Sequence, residues 1–258
     1  MKLTNKAVIV TGAASGIGFT VSERLAGEGA DVCMVDVNEE KCVSSAASIN
    51  EKFKDRVYPV VCDIRSMEEV IRMVETVVSR SGKVDVLINN AAVAIGANIM
   101  EMSEKEWNTV IDTNLSGAYR CIKNVLPVML KNKSGSIINI ASTQAHRSWH
   151  NWTAYAAAKG GLLSMTTQLA GQFAPDNIRI NSVSPGTIIT PMLDQRMQEE
   201  GGELKNRFIE MHAMNRLGTP DEVASVILFL ASDESSFITG VDIKVDGGLG
   251  TLPRYREL

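Results

Sequence analysis

The chain has 258 residues, of which 45% are hydrophobic and 22% charged, a composition in the range of globular proteins. Its formal net charge of −4 gives no reason to expect a nucleic acid or an anionic membrane as a partner, so we predict neither. The four cysteines are scattered without a C-x-x-C pair, and the N-terminal apolar stretch is too short for a signal peptide, which predicts reduced thiols in a cytoplasmic protein without a metal site.

Short β-branched runs alternate with longer helical patterns along the chain. The runs predicted as strands are Ala7–Val10, Val32–Val35, Val57–Val61, Val84–Ile88, Ser136–Ile140, Ile180–Val183 and Val241–Val245. The patterns predicted as helices are Gly16–Glu28, Glu39–Lys52, Met67–Ser81, Glu104–Leu130 (two helices, broken near residues 112–114), Thr153–Phe173 and Pro220–Leu230. This alternation predicts an α/β fold, with a doubly wound, mainly parallel seven-stranded sheet of the Rossmann type and helices on both faces.

A glycine-rich turn follows the first predicted strand and opens the first predicted helix. Gly12 permits a tight turn, and Gly16 and Gly18, with Ser15 and Ile17 between Gly12 and Gly18, let the backbone approach a ligand. Free N–H groups and the helix dipole favour a negative charge at such a helix start. The turn therefore predicts a pyrophosphate site, as in dinucleotide-binding proteins.

Polar side chains end the next three predicted strands. Asp36 lies 24 residues past Gly12, where a carboxylate can accept hydrogen bonds from ribose hydroxyls and would repel a 2′-phosphate. Since neither position 15 nor position 37 carries Arg or Lys, we predict NAD rather than NADP as cofactor. Asp63 with Ile64, and Asn90, fit the adenine and ribose rim of the same crevice, although each could also be an ordinary strand-end cap.

Three further side chains suggest acid–base chemistry. Tyr155 and Lys159 are four residues apart, so they share one face of a helix, and Ser142 lies thirteen residues before the tyrosine. A nearby ammonium can lower the pKa of a phenol from its reference of about 10, and a serine hydroxyl can hold the substrate oxygen. An acid–base site beside a dinucleotide site predicts hydride transfer.

Residues 187–216 interrupt the alternation with a polar, methionine-rich stretch that includes Met192. Because long connections beyond strand ends are often lids, we predict a flap over the active site. Residues 1–258 contain no Pro/Gly/Ser-rich linker and are predicted to form one domain.

Taken in order, these motifs resemble the compact, single-domain short-chain dehydrogenases/reductases, and the resemblance covers nearly the whole chain. It is carried by Thr11–Gly18, Asp63, Asn89–Ala92, Asn114, Ser142, Tyr155-x-x-x-Lys159, Pro185-Gly186 with Thr190, and Asp246-Gly247-Gly248. The chain departs from the family pattern at Ala92, where glycine is usual, and at Ala158, where serine is frequent. Neither change removes a catalytic group.

The resemblance implies a role for each of these residues. Tyr155 would be the general acid/base, Ser142 would orient the substrate oxygen, and Lys159 would lower the tyrosine pKa and bind the nicotinamide ribose. Asn114 would hold a water that links Lys159 to solvent. Around the nicotinamide, the implied cofactor residues are Pro185, Gly186, Ile188 and Thr190. The resemblance also implies a homotetramer that pairs through helices near 112–130 and 153–173.

In this family the stretch between Ser142 and Tyr155 borders the substrate pocket. We take Gln144, His146, Trp149 and Trp152 as candidate substrate residues, together with Met192 in the flap. Indole and imidazole groups suit a hydroxylated or anionic ligand better than a bare steroid or a long acyl chain.

Three functions follow as alternatives. The first is an NAD-dependent dehydrogenase of a small polar secondary alcohol such as a sugar, polyol or hydroxy acid. The second is a 3-oxoacyl thioester (acyl carrier protein) reductase, against which Asp36 argues because reductive biosynthesis usually draws on NADPH. The third is a catalytically silent NAD-binding sensor, which would need no Tyr155–Lys159 pair.

Overall fold

A computed structural model describes residues 1–191, 193–194, 197 and 203–251. Its centre is a seven-stranded sheet with the order β3-β2-β1-β4-β5-β6-β7, in which all neighbours pair in parallel. The strands are β1 Ala7–Thr11, β2 Asp31–Asp36, β3 Val57–Val61, β4 Val86–Asn89, β5 Gly135–Ile140, β6 Ile178–Pro185 and β7 Asp242–Val245. The predicted doubly wound α/β fold is confirmed. At the majority of strand ends, the predicted bound differs from the observed bound by one or two residues.

Eight α-helices have bounds that the structure defines. They are α1 Gly16–Gly27, α2 Glu39–Phe53, α3 Met67–Ser81, α4 Glu104–Ile111, α5 Gly117–Asn132, α6 Thr153–Phe173, α7 Glu203–Met211 and α8 Pro220–Ala231. Side-chain caps set three of the starts, because Asn38, Ser66 and Ser103 each accept the N–H group three residues on. No helix in the described part of the chain is long and apolar enough to cross a membrane.

The sheet is buried on both faces, as parallel sheets are. Along β1 the alternate residues Val8 and Val10 belong to one core cluster, which α1, α2 and α8 cover. Ala7 and Ile9 point the other way into a second cluster, which includes residues of α3, α5 and α6. Helices therefore cover both faces, as predicted.

The expected break near residues 112–114 takes a different form in the structure. Asp112–Ser116 forms a turn of π-helix between α4 and α5, so the chain stays helical through the irregularity. Asn114 within it is buried, and its amide is hydrogen-bonded to the backbone of Val93 on both sides. The polar sequence predicted the position of the irregularity correctly. The helix does not end there, however, because the backbone accommodates one additional residue in a π-bulge.

A crevice for a ligand opens where the strand order reverses. The chain moves from β1 outward to β2 and β3, then returns to place β4 on the other side of β1. Loops that leave β1 and β4 therefore diverge at the carboxyl edge of the sheet, which is where open α/β sheets bind ligands.

Candidate active site

The glycine turn after β1 is packed so closely that side chains are excluded. Gly12 has a φ of +63°, and a Cβ atom built on it would lie 2.7 Å from Cα of Ala91. A Cβ atom on Gly18 would lie 2.2 Å from the carbonyl oxygen of Gly12. Asn90 holds the turn from β4, since its Nδ2 donates to the carbonyls of Thr11 and Gly12, each at 3.0 Å.

This packing gives the turn the shape of a phosphate cradle. Helix α1 starts at Gly16, and the N–H groups of a first helical turn lack intrahelical acceptors. Negative charge is favoured at such a site. The residues present therefore fit the pyrophosphate of a dinucleotide.

Asp36 lies beside this turn with a fixed carboxylate. Its Oδ2 accepts the N–H of Ala14 at 3.1 Å, and its Oδ1 accepts the N–H of Asn38 at 3.0 Å. The neighbouring Val37 is exposed and carries no charge that could offset the carboxylate. The position agrees with the role in ribose binding that was predicted from its spacing, and that role stays a prediction.

Asp63 has a partner that the sequence did not indicate. Arg65 binds it through Nε at 3.0 Å and through Nη2 at 2.6 Å, and this hydrogen bonding lowers the pKa of the Asp63 carboxyl. Ile64 is buried and contacts α5, where its Cδ1 lies 2.5 Å from the point that a Cβ on Gly117 would occupy. A contact between Asp63 and the adenine or ribose would therefore have to be made beside a guanidinium.

The structure brings the three predicted acid–base residues together at the ends of β5 and α6. Ser142 lies two residues after the end of β5 and is hydrogen-bonded to the hydroxyl of Tyr155 in the first turn of α6. One turn further on, Lys159 is 2% exposed, and its Nζ lies 5.6 Å from the centroid of the Tyr155 ring. Nζ also donates to the carbonyl of Ile140 at 2.6 Å.

Burial has the largest effect on the pKa values of Tyr155 and Lys159. It raises the pKa of Tyr155 to about 12, while the hydrogen bond with Ser142 acts in the lowering direction. Burial also lowers the pKa of Lys159 to about 8. Burial is the larger of the two effects on the pKa of Tyr155, and the lowering of this pKa by Lys159, which the resemblance implies, stays a prediction. The phenol is protonated at neutral pH.

Asn114 lies near this site, but its side-chain amide is hydrogen-bonded to the backbone of Val93. Its Oδ1 accepts the N–H of Val93 and its Nδ2 donates to the carbonyl of Val93, both at 2.8 Å. The amide thus fixes the segment that leaves β4. Oδ1 keeps a second lone pair and Nδ2 a second proton, and the water linked to Lys159 that the resemblance implies stays a prediction.

His146 does not fit the prediction of a polar pocket wall. Its Nε2 lies 2.9 Å from Oδ2 of Asp242 in β7. Oδ1 of the same carboxylate accepts the hydroxyls of Ser182 at 2.7 Å and Ser184 at 2.9 Å. The imidazole therefore anchors the loop after Ser142 to the last strand.

The other candidate substrate residues form an apolar and aromatic surface. Trp149 packs on Phe208 of α7 with ring centroids 6.3 Å apart, and Trp152 meets the ring of Tyr155 edge-on at 5.7 Å. The Gln144 side chain places a buried Oε1 there that has no hydrogen-bond partner among the described residues. Met192 lies outside the described residues.

The chain after β6 returns to the glycine turn. Pro185 ends β6, and the N–H of Gly186 bonds to Val245 of β7 at 2.9 Å. Ile188 is buried and bridges Gly218, while the methyl group of Thr190 lies 3.4 Å from the point that a Cβ on Gly16 would occupy. The predicted nicotinamide residues thus border the predicted pyrophosphate site.

Two interactions that organise the site escaped sequence analysis. They are the Asp242 carboxylate that holds His146, and the buried ring of His212, which bonds to Thr187. The only available signal was that His212 follows Phe208 by four residues, which places both on one helical face. Among the described residues, no group of three or more His, Cys, Asp or Glu side chains could hold a metal ion.

Comparisons with known proteins agree on one kind of enzyme. A family model described as enoyl-(acyl carrier protein) reductase matches residues 12–250. The chain is 39% identical over 249 residues to the 3-oxoacyl-[acyl-carrier-protein] reductase FabG of Thermotoga maritima, covering 96% of this chain and 99% of that one. It is 36% identical over 243 residues to the short-chain reductase protein NovJ of Streptomyces niveus, covering 93% and 92%.

Solved structures give the same result. The crystal structure of levodione reductase superposes with a TM-score of 0.92 at 31% identity, covering 96% of this chain and 98% of that one. A variant of actinorhodin polyketide ketoreductase with NADPH also superposes with a TM-score of 0.92, at 33% identity and the same coverage.

Proposed function

The chain belongs to the short-chain dehydrogenase/reductase family, and from this premise we propose that it reduces the ketone of a 3-oxoacyl thioester to a secondary alcohol with NADH. The observation that carries the proposal is the full-length similarity to 3-oxoacyl reductases, together with the Ser142–Tyr155–Lys159 arrangement. That the protein is an oxidoreductase with a nicotinamide cofactor follows from the family. The substrate and the choice of NADH are the proposal.

The protonation of the site supports reduction. A bound nicotinamide supplies the hydride to the carbonyl carbon. Tyr155, protonated at neutral pH, donates its phenolic proton to the carbonyl oxygen as the negative charge develops there. The Ser142 hydroxyl orients that oxygen, and Lys159 supplies positive charge one helical turn away.

The aromatic surface supports an acyl substrate. Trp149 packs at a tilt against Phe208, Trp152 meets Tyr155 edge-on, and His146 is bound to Asp242, so aromatic rings make up much of this wall. An apolar wall accommodates the alkyl part of an acyl thioester without leaving buried polar groups unpaired.

A second candidate is the oxidation of a small polar secondary alcohol with NAD. Two observations favour it: the carboxylate of Asp36, which suits NAD, and Oε1 of Gln144, a buried acceptor without a partner among the described residues that could bind a substrate hydroxyl after a small side-chain rotation. The two candidates differ in substrate class and in the direction of the reaction that is used.

A substrate panel tests the two functions against each other. Purified protein would be assayed by NADH and NADPH absorbance with 3-oxoacyl thioesters of increasing chain length, and with sugars, polyols and hydroxy acids in the oxidative direction. We expect the highest kcat/KM for a 3-oxoacyl thioester. If a polyol, sugar or hydroxy acid is turned over with higher kcat/KM than every thioester, the second function replaces the first.

The pH dependence of the two directions is predicted to differ. Since the pKa of Tyr155 is raised, the phenol is already in the form that reduction needs from neutral pH up to mildly alkaline pH. Oxidation needs the phenolate, so its rate should increase with pH until the tyrosine ionises, by up to about tenfold per unit. Initial rates in both directions at saturating cofactor, with hydride transfer shown to be rate-limiting by deuterated cofactor, check this. A flat oxidation profile over the alkaline range contradicts it.

We further propose that residues 187–216 form a flap that closes over cofactor and substrate. Support comes from Leu193, Phe208 and Leu217, which form a small apolar cluster with Trp149 that is separate from the cores on the sheet. We expect hydrogen exchange in 187–216 to slow when NADH is added, because closure excludes water. Amides of β6 serve as the internal control. Equal protection with and without cofactor and substrate would show the segment to be fixed.

The remaining proposals concern organisation. We propose that residues 1–258 act as one domain, that the protein forms a homotetramer through α5 and α6, and that it is cytoplasmic. The four cysteines are buried and free, which is compatible with a reducing compartment.

A further inference from the structure

We propose that the neutral ring of His212 is a positioning residue for the cofactor, and that protonation of this ring weakens dinucleotide binding. The inference rests on the proposed function, since it assigns His212 to the dinucleotide site. His212 directly follows α7 and is 2% exposed.

Both ring nitrogens of His212 have backbone partners that fix the tautomer. Nδ1 lies 2.6 Å from the carbonyl oxygen of Phe208, and Nε2 lies 3.1 Å from the backbone nitrogen of Thr187. A carbonyl oxygen can only accept, so Nδ1 must carry the proton. Thr187 can only donate, so Nε2 must accept with its lone pair. Both bonds can exist together only while the imidazole is neutral.

The bond to Thr187 fixes the first residue of the segment that borders the cofactor site. Three residues further along, Thr190 lies against Gly16 of the glycine turn. Gly218 holds the same segment on both sides of Ile188, because its N–H donates to the carbonyl of Thr187 at 3.0 Å and its own carbonyl accepts the N–H of Ile189 at 2.9 Å. A displacement of Thr187 would therefore be passed to Thr190 through only two intervening residues.

The ring is packed against the backbone it positions. A Cβ atom on Gly186 would lie 2.8 Å from Nε2 of His212, and one on Gly247 would lie 3.5 Å from Cδ2. The imidazole therefore has little room to rotate toward another acceptor. This distinguishes it from the other two histidines, His146 and His150, which lie on an exposed loop.

Protonation would replace this hydrogen bond with a repulsive contact. The imidazolium carries a proton on Nε2, which would then point at the N–H of Thr187, and it would place a positive charge in a buried position. Charged side chains line the cavity next to the ring. They are Arg216 and Glu222, which pair at 2.6 Å, Lys244, and Asp246, which accepts the N–H groups of Gly248 and Gly250. Glu210 lies on α7 itself.

The direction of the effect follows from these contacts. The cofactor-binding arrangement requires neutral His212, so mild acid should release Thr187 and weaken binding. Loss of one hydrogen bond corresponds to a change in the dissociation constant of about two- to tenfold.

The experiment compares two substitutions that differ in one acceptor. In His212→Gln the amide oxygen can take the place of Nε2 and accept from Thr187 at any pH, whereas His212→Leu has no acceptor. NADH and NADPH binding would be measured by fluorescence titration between about pH 5 and 8. His150→Gln, on the exposed loop, is the matched control, and thermal unfolding of each variant checks folding.

The expected profiles are distinct. The wild-type protein and His150→Gln should lose affinity about two- to tenfold toward acid pH. His212→Gln should bind with the neutral-pH affinity throughout, and His212→Leu with the weak affinity throughout. Wild-type-like pH dependence in His212→Gln, or wild-type affinity in His212→Leu at neutral pH, overturns the proposal. If neither dinucleotide binds the wild-type protein at any pH, the proposed function falls and the role of His212 falls with it.

A second measurement needs no variant. Nitrogen NMR of the wild-type protein labelled at its three histidines distinguishes protonated from unprotonated ring nitrogens. We expect one histidine with Nδ1 protonated and Nε2 unprotonated at neutral pH, whose signals respond to NADH. The opposite tautomer for all three, or no response to bound NADH, overturns the assignment.

Discussion

Replacement of Tyr155 by phenylalanine is expected to abolish turnover while dinucleotide binding persists. The substitution keeps the ring that packs edge-on against Trp152 and removes only the hydroxyl that bonds to Ser142. A positioned proton donor contributes about 10²–10⁴-fold to the rate, so kcat should decrease by at least this factor. The dissociation constant for NADH, measured by fluorescence, should change little because the phenol acts on the substrate oxygen.

Tyr119→Phe is the matched control for this experiment. Tyr119 is 46% exposed on α5, so the loss of its hydroxyl should leave kcat unchanged. Residual turnover of Tyr155→Phe above a few per cent of wild type would remove Tyr155 from the role of general acid. A parallel loss of NADH binding would instead indicate that the variant had disturbed the fold of the site.

The second large effect is expected at Asp36, as a preference for NADH over NADPH. The carboxylate is fixed by Ala14 and Asn38 and cannot readily turn away from a 2′-phosphate. Like charges about 4 Å apart near a protein surface repel by about 4 kcal/mol, so kcat/KM should favour NADH by a factor on the order of 1,000. Asp36→Asn keeps an acceptor oxygen but removes the charge, and should reduce this preference mainly through better use of NADPH.

Two further variants sharpen the test of Asp36. Adding Val37→Arg to Asp36→Asn should favour NADPH further, because position 37 is exposed beside the carboxylate and can carry a cation. Glu40→Gln removes an equal charge in the first turn of α2, four residues after Asp36, and should leave the preference unchanged. Equal kcat/KM with both cofactors in the wild-type protein would contradict the assignment.

The residues of this site that could be predicted from sequence are those whose place depends only on neighbouring residues in the chain. Gly12 and Asp36 each stand directly at a strand end, and Tyr155 and Lys159 are joined by one helical turn. The alternation of strands and helices then sufficed to predict which edge of the sheet they share. The strands and their parallel orientation were predictable because apolar runs of this kind, alternating with helices, are typical of a parallel sheet.

The contacts that sequence reasoning missed join distant parts of the chain. His146 meets Asp242 across 96 residues, and Thr187 meets His212 across 25 residues. No periodicity specifies such pairs, because they depend on how loops cross the sheet edge. The pairing of His146 could not be predicted for the same reason, since its partner Asp242 lies outside its own stretch of sequence.

The placement of β1 in the middle of the sheet has a consequence for the order of folding. Its neighbour β2, and β3 on the far side of β2, follow at once along the chain. The other edge of β1 is completed only by β4, and the N–H of Ala7 donates to Asp85 across 78 residues. Closing such a long loop costs chain entropy before any contact is gained, and parallel pairings of this kind form slowly.

During synthesis, the nascent chain can therefore assemble the β1–β2–β3 half before the glycine turn has its final support from Asn90. We therefore expect the dinucleotide crevice to form late in folding. A dinucleotide can slow the unfolding of the finished protein by mass action, but it has no site to bind while the first half of the sheet is nucleating.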